Sequence, residues 1–480
     1  MSQALGMPLL KKAIALIRKH EALVVFVALF VVYLSNCTYY LSSTDTIPAI
    51  LLPFNILDGR GLFLDGFYND YYKDTTNWWG NYYFTFTRGH VLSMYPIVVP
   101  LLVLPLYVLP FIFIKLAGIP IDMHDHVFFL TVYGMEKLSA GVIAALSGVF
   151  MYMLLRELFD RKVSLAGTLF FALGTSTWTI GSQGLWQHGA SELLLLAALL
   201  VLVRNVKSRK PLNFVLLGVL TALLVFNRPT NALLAIPLIL YALSDFFVAK
   251  KLDGVVAYVA SVAAVSLPFL AYNLYYFGGM FGAYSGFGYA FGAGDVSTRL
   301  AGLLVSPSRG LLIYTPAVLL AIPGYFLVKN LQPPALRSVF YVYGFSVVAT
   351  ILIYSLYECW WGGGCYGPRF FTDMMPIIAI FVTFCIDKAL KLEGAGRTMA
   401  LAAIAVLIVA SIAVQAIGAY LYPVYGFQWG HGQTITVENQ SKLWDWSDTQ
   451  IGESLNGIFN RSAGYTYIIE NGNVKVVPAG

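Results

Sequence analysis

The sequence predicts an all-α polytopic membrane protein, a bundle of about 11–13 transmembrane helices with a long first extracytoplasmic loop. Three observations carry this. Hydrophobic residues make up 58% of the 480 and charged residues only 11%, where a soluble chain carries roughly 25% charge. Mean hydropathy is +0.72. Apolar stretches of about 20 residues, the length that crosses the hydrocarbon, recur along the chain with short links. A β-barrel would show strands of about 10 residues alternating in polarity. The same composition excludes a nucleic-acid binder, a disordered chain and a disulfide-stapled secreted scaffold. The four cysteines, Cys37, Cys359, Cys365 and Cys385, form no CxxC pair, so no zinc or redox site is expected.

The elements follow in order. Lys11, Lys12, Arg18 and Lys19 precede a full-length apolar span with no small-residue cleavage site after it, which argues against a cleaved signal peptide. Those charges hold the amino terminus in the cytoplasm and send residues 42–94 outside, in the periplasm or its equivalent. Spans are expected near 21–41, 95–116, 130–155, 163–181, 188–203, 213–227, 232–249, 254–276, 311–328, 338–357, 372–388 and 398–421. Basic clusters at Arg156, Arg161 and Lys162, at Arg204, Lys207, Arg209 and Lys210, at Lys250 and Lys251, at Lys329 and Arg337, and at Lys388, Lys391 and Arg397 belong inside. That places loops 182–188, 228–231, 278–310 and 358–371 outside, with the tail. Twelve spans cannot satisfy this assignment, because it needs an odd number. The misfit falls between residues 95 and 160, where a span is missing or re-entrant. Residues 1–421 form the membrane module and 422–480 a short extracytoplasmic tail, in which TYIIENGNVKVVP reads as a hairpin around Asn471-Gly472. None of the outer segments is large enough for a catalytic domain with its own core, so any chemistry sits where the loops meet the bundle.

Asp45, in SSTDTIP, follows the first span directly. A partly desolvated carboxylate there is a candidate general base, its pKa raised by burial; the plainer reading is a helix cap or a solvated interfacial charge. Asp58, Asp65 and Asp70 follow in LDGRGLFLDGFYND, with Asp65, between aromatic residues, the preferred second acid. Arg88, Arg228, Arg309 and Arg369 stand apart from the basic clusters on the outer side. A guanidinium suits phosphate through two parallel hydrogen bonds, and snorkelling to lipid headgroups is the alternative. Arg369 lies in WWGGGCYGPRFFTD, where glycines admit close backbone approach and Trp360, Trp361 and Tyr366 offer apolar or stacking walls. His188 and Glu192, in LWQHGASELLLL, are four apart and share a helix face. They read as substrate contacts or as a buried packing pair. His124-Asp125-His126 is discounted as a metal site because adjacent side chains diverge. Cys359 and Cys365 are close enough in sequence to pair, but nothing requires it.

The blocks DTIPAILLPFNILDGRGLFLD, MYPIVVPLLVLPLY, LWQHGASELLLL, FNRPTNALL, SPSRGLLIYTP and WWGGGCYGPRFFTDMMP, over roughly residues 20–450, resemble the GT-C superfamily of membrane glycosyltransferases. Protein O-mannosyltransferases and lipid A aminoarabinose transferases are among its members. The resemblance implies an inverting transferase in the inner (cytoplasmic) membrane with its site facing outward. Its donor would be a sugar on a polyprenyl phosphate, and its acceptor a hydroxyl on a cell-envelope glycan, lipid or protein. Asp45 matches the leading loop aspartate that serves as base. Arg369, then Arg228, Arg309 and Arg88, would hold the departing phosphate, and the aromatic, glycine-rich loops the sugar. No cofactor is obligatory, and a divalent metal stays open. The sequence departs from the superfamily in two places: Thr46 stands where a second acid often follows the first, and Tyr95-Pro96-Ile97 replaces a Pro-Pro-Leu block. Two alternatives remain, a transporter or flippase of lipid-linked glycans, which would often show inverted repeats, and a non-catalytic scaffold on the same fold.

Overall fold

A computed structural model describes residues 20–38, 41–73, 81–248, 250–292, 294–426, 435–436, 438–459, 465–470 and 473–478. The amino-terminal basic residues Lys11, Lys12, Arg18 and Lys19 and the turn Asn471-Gly472 lie outside the described residues. Helix α1, Glu21–Ser35, is followed by a short 3-10 turn, Thr44–Thr46, and by α2, Ile47–Leu57. A small hairpin of β1, Phe84–Thr87, and β2, His90–Ser93, precedes α3, Val98–Leu116. The long α4, His126–Leu158, starts a series of rods that run between the two ends of the bundle. Next come α5, Arg161–Gly174, α6, Gln187–Lys207, α7, Pro211–Asn227, α8, Ala232–Phe247, and α9, Asp253–Phe277.

After α9 the glycine- and aromatic-rich segment folds as a 3-10 stretch, Gly282–Ala290, and α10, Val296–Val305. The expected span at 311–328 is broken into short helical pieces, of which α11 is Ala321–Leu327. Thr315-Pro316 interrupts it, since proline lacks the N–H that would continue the ladder. Helices α12, Pro334–Ser355, α13, Met375–Leu390, and α14, Gly394–Ala416, complete the bundle. Helix α15, Gln450–Phe459, and the antiparallel pair β3, Tyr465–Glu470, with β4, Asn473–Pro478, lie in the tail. Eight of the helical stretches are long and apolar enough to cross a membrane.

Ion pairs sort the rod ends. Arg161 pairs with Glu21 at 2.6 Å, Arg204 and Lys207 with Glu157 at 3.0 and 2.8 Å, and Arg209 with Asp245 and Asp253 at 2.7 and 2.6 Å. These mark one end, where the basic clusters gather. The other end holds Ser42, Asp45, Gln183, Arg228, Tyr354 and Arg369, which meet one another. Helix α3 belongs entirely to this second end. It packs on α2 with the carboxy-terminal ends of both helices together, Lys115 paired to Asp58 and Tyr107 against Phe54, and its far end leads through His124, bonded to the Asp70 carbonyl at 2.8 Å, directly into α4. The expected span 95–116 is this helix, one of the eight long and apolar enough to cross, and both its ends contact the segment 42–94 or the cavity beside it. With α3 set aside, the other expected spans among the described residues number eleven, the odd count that the charge assignment asks for. Close packing holds the rods: a Cβ on Gly324 of α11 would lie 1.9 Å from the Phe381 carbonyl oxygen of α13.

The tail is not a free appendage. Gln450 of α15 donates to the Cys365 carbonyl at 2.8 Å and accepts from the Gly367 N–H at 3.0 Å and the Tyr314 hydroxyl at 3.1 Å. All four cysteines are free thiols.

Candidate active site

The second end of the bundle encloses a cavity of about 450 Å³. Four chain breaks deliver its ionisable side chains. Ser43, extended at φ −168°, caps the 3-10 turn through its Oγ, which accepts from the Asp45 N–H at 3.2 Å, and turns Asp45 inward. Trp186 and Pro229 end or open helices so that His188 lies in the first turn of α6 and Arg228 in the break between α7 and α8. Arg369 follows the turn 359–368. There Gly362, Gly363 and Gly367 take φ of +75°, +77° and +65°, and a Cβ on Gly367 would meet the Tyr314 ring at 2.5 Å; only glycine fits.

Asp45 and Arg369 face each other, Nη1 donating to Oδ2 at 2.8 Å, and the Tyr82 hydroxyl donates to Oδ1 at 2.5 Å. The Arg369 guanidinium lies 4.4 Å over the Trp186 ring, a stacking that suits its planar, weakly hydrated charge. Its Nε has no hydrogen-bond partner among the described residues. Burial alone would raise the Asp45 carboxyl. The Arg369 charge, with the Tyr82 and Tyr95 hydroxyls, outweighs burial and holds it below its ordinary value of 3.8. This corrects the sequence-based expectation of a raised pKa, which had no way to include the counterion. The same carboxylate raises both tyrosine hydroxyls, after burial as the first cause.

A second cluster closes the opposite wall. Asp373 Oδ1 lies 2.9 Å from His188 Nδ1, and Arg228 Nη1 lies 2.6 Å from His188 Nε2. Arg228 has only donors and also lies 3.0 Å from Nδ1, while the Asp373 carboxylate only accepts, so the tautomer that serves both neighbours has Nε2 accepting and the ring proton on Nδ1. Arg228 also reaches Asp373 Oδ2 at 3.3 Å and donates to the Tyr354 hydroxyl at 2.8 Å. Each arginine thus has one carboxylate partner. In such a site a monoanionic ligand group finds guanidinium donors already oriented.

The other predicted residues lie elsewhere. Asp65 accepts the Val91 N–H at 2.8 Å and contacts His90 at 3.1 Å, tying a helical turn to β2. Arg88, at φ +51°, sits in the β1–β2 turn, 4.4 Å over the Tyr275 ring. Arg309 is fully buried and donates to the carbonyls of Trp361, Ser308 and Gly363 at 2.8, 2.7 and 2.9 Å. It therefore holds the turn that presents Arg369. Glu192 is buried behind His188 and accepts from Thr177 at 2.7 Å. Trp360 donates to Gln440 at 3.2 Å, Tyr366 donates to the Val414 carbonyl at 2.9 Å, and Trp360, Trp361 and Tyr366 are all buried in packing outside the large cavity.

Sequence reasoning missed Asp373, Tyr82, Tyr95, Tyr284 and Tyr354, all on or behind the cavity wall. Asp373 had a signal, since it lies four residues after Arg369 at the mouth of an apolar span, where an acid is costly without a partner. The tyrosines had none, being a few among 31. His124, Asp125 and His126 do not converge: Asp125 caps α4, accepting from Val127 and Phe128 at 2.9 Å each.

The comparisons with known proteins agree with this architecture. A family model described as dolichyl-phosphate-mannose-protein mannosyltransferase matches residues 137–276, which run from α4 to α9 and include His188 and Arg228. Among solved structures the chain is similar to the oligosaccharyltransferase of Archaeoglobus fulgidus in its apo form. Identity is 13%, the TM-score is 0.52, and the match covers 83% of this chain and 56% of that one. No curated protein sequence matches. The likeness to the solved structure is one of fold, and the chain spans little more than half the length of that protein. What the chain shares with that structure is its polytopic helical fold. The family model covers less than a third of the chain, and the solved structure agrees with it in fold.

Proposed function

We propose that the chain transfers a sugar from a polyprenyl-phosphate donor to a hydroxyl acceptor at the outer face of the membrane, with inversion. The acceptor belongs to a cell-envelope glycan, lipid or protein. The observation that carries this is the Asp45–Arg369 pair inside a cavity of about 450 Å³, within the range of small-molecule sites. The acceptor oxygen attacks the anomeric carbon and its proton passes to the Asp45 carboxylate. The bond from that carbon to the phosphate oxygen breaks, and its electron pair leaves with the polyprenyl phosphate. Arg369, through its unpartnered Nε, and Arg228 stabilise the charge that grows on the phosphate.

Paired with Arg369, Asp45 is a weak base. Sharing Arg369 with a phosphate lessens its counter-charge and raises its basicity when the donor is in place. This reading requires no metal: Arg369 supplies the positive charge beside the carboxylate. Arg309 and Arg88 are assigned to structure and Asp65 to the outer loop. With the site outward, the end bearing the basic clusters faces the cytoplasm of the inner membrane.

The test is release of polyprenyl phosphate from a panel of polyprenyl-phosphate sugars, with membrane extract as acceptor. Wild type releases it, and a folded Asp45→Asn variant does not. Release undiminished in Asp45→Asn would remove the assigned base, and no release by wild type with any donor would sink the transferase reading.

A further inference from the structure

We propose that Glu136, with Lys137 beside it, is a positioning residue that fixes the Asp45 carboxylate by holding both ends of the turn that bears it. The proposal rests on the reading of Asp45 as base. Both residues lie on α4 and are buried, Glu136 completely and Lys137 to within 5%. Neither lines the large cavity, and no part of the chemistry above uses them. Two adjacent ionisable side chains inside a membrane helix are costly without a purpose.

Their hydrogen bonds show where the cost goes. The Thr46 hydroxyl lies 2.5 Å from Glu136 Oε1, and the Ser42 N–H donates to Glu136 Oε2 at 3.4 Å. Lys137 Nζ donates to Ser42 Oγ at 2.5 Å and to the Gln183 carbonyl at 2.7 Å, and lies 3.3 Å from Glu136 Oε2. Ser42 Oγ in turn donates to the Gln183 carbonyl. The arc Ser42–Thr46 is therefore pinned at its first residue by both side chains and at its last by Glu136, with Asp45 between them. A pair that merely packed two helices would not need to bond both ends of a single turn. The turn itself has few bonds of its own: Asp45 N–H to Ser43 Oγ, Thr46 N–H to the Ser43 carbonyl at 3.1 Å, and Thr46 Oγ1 at 2.8 Å from that same carbonyl. The Thr46 hydroxyl has a single proton, so it cannot donate to Ser43 and Glu136 at once.

A base must lie within about 2.6–3.2 Å of the proton it takes, and a displacement of about 1 Å can cost roughly 10²-fold in rate. Thr46→Val removes the hydroxyl without changing its bulk. Glu136→Gln puts an N–H group where acceptors are needed. Both variants are expected to lower kcat by about 10- to 100-fold while KM for the donor stays nearly unchanged, because Arg369 and Arg228 are untouched. Thr46→Ser keeps the hydroxyl and is expected to recover most of kcat. Unchanged kcat in Thr46→Val and Glu136→Gln, or loss of kcat and KM together with no rescue by serine, would overturn the proposal.

A second readout does not depend on activity. In a Thr44→Cys chain, alkylation at position 44 by a membrane-impermeant maleimide, resolved by peptide mass, is expected to accelerate about tenfold on adding Glu136→Gln, as the turn opens more often. An unchanged rate refutes the clamp even if wild type shows no transferase activity, whereas acceleration in an inactive protein leaves the clamp standing and discards the function.

Discussion

Replacing Arg369 by methionine keeps an apolar chain against Trp186 and removes the only charge paired with Asp45 among the described residues. The Asp45 side chain is 9% exposed and that of Arg369 16%. Two unit charges about 4 Å apart interact by roughly 4 kcal/mol at an effective dielectric of 20. Breaking one side of a buried pair costs about 3–5 kcal/mol. Asp45 keeps its bonds from Tyr82 and Tyr95 and borders the cavity of about 450 Å³, so the expected cost is about 2–3 kcal/mol at neutral pH.

The sign with pH follows from the direction of the shift. In wild type the folded carboxyl lies below its ordinary 3.8. Its contribution is present above that value and is lost as pH falls through the folded pKa. In Arg369→Met, burial goes unopposed by the counterion and the carboxyl rises above the ordinary value. Its protonated form then stabilises the fold at low pH, and that gain is lost as pH rises. The gap between the two proteins is therefore full at pH 7.5 and narrows as pH falls toward 3.8 and below. The assay is thermal unfolding in detergent, followed by tryptophan fluorescence at pH 7.5 and 4.5, with Asp45→Asn and the double variant completing a cycle. An equal destabilisation at both pH values, or additive single effects, would refute the electrostatic account of the pair.

Three further outcomes follow from the same geometry. Arg309→Met leaves the carbonyls of Trp361, Ser308 and Gly363 without this donor; it is expected to cost about 2–4 kcal/mol in thermal unfolding and to raise KM for the donor as Arg369 loses its footing. Asp65→Asn, far from the cavity, is expected to leave kcat/KM within about twofold and to cost about 1 kcal/mol of stability through the lost charge on the Val91 and His90 contacts; a loss above tenfold in kcat/KM would return Asp65 to the chemistry. Gly324→Ala must push α11 away from the Phe381 backbone and is expected to lower thermal stability by at least about 2 kcal/mol, read by the same fluorescence melt.

The bundle was legible because lipid leaves a helix no alternative for its backbone bonds, so apolar length alone marks the rods. Each of the twelve expected spans corresponds to a helix or a broken helix. Length could not tell where α3 ends relative to α2. Its apolar composition equals that of a crossing helix, and only the Lys115–Asp58 contact shows that its far end meets the segment after α2. Asp45, Arg228, His188 and Arg369 were legible as ionisable groups at chain breaks, where burial demands a partner. Their partners were not, because His188 meets Asp373 across 185 positions and no local pattern encodes that distance. Arg309 looked like Arg369 in sequence, and the difference lies in whether backbone carbonyls or a carboxylate receive the guanidinium.

The Asp45–Arg369 contact joins residues 324 positions apart. During synthesis the aspartate emerges early and waits while most of the helices are made and inserted. Until the Arg369 turn arrives, no partly built chain holds the two groups together, so the pocket has no premature form. Contacts of this span also form late and slowly. Assembly of the bundle is thereby its own quality control: a molecule that holds the Asp45–Arg369 pair is one whose first rod has already met the turn before α13.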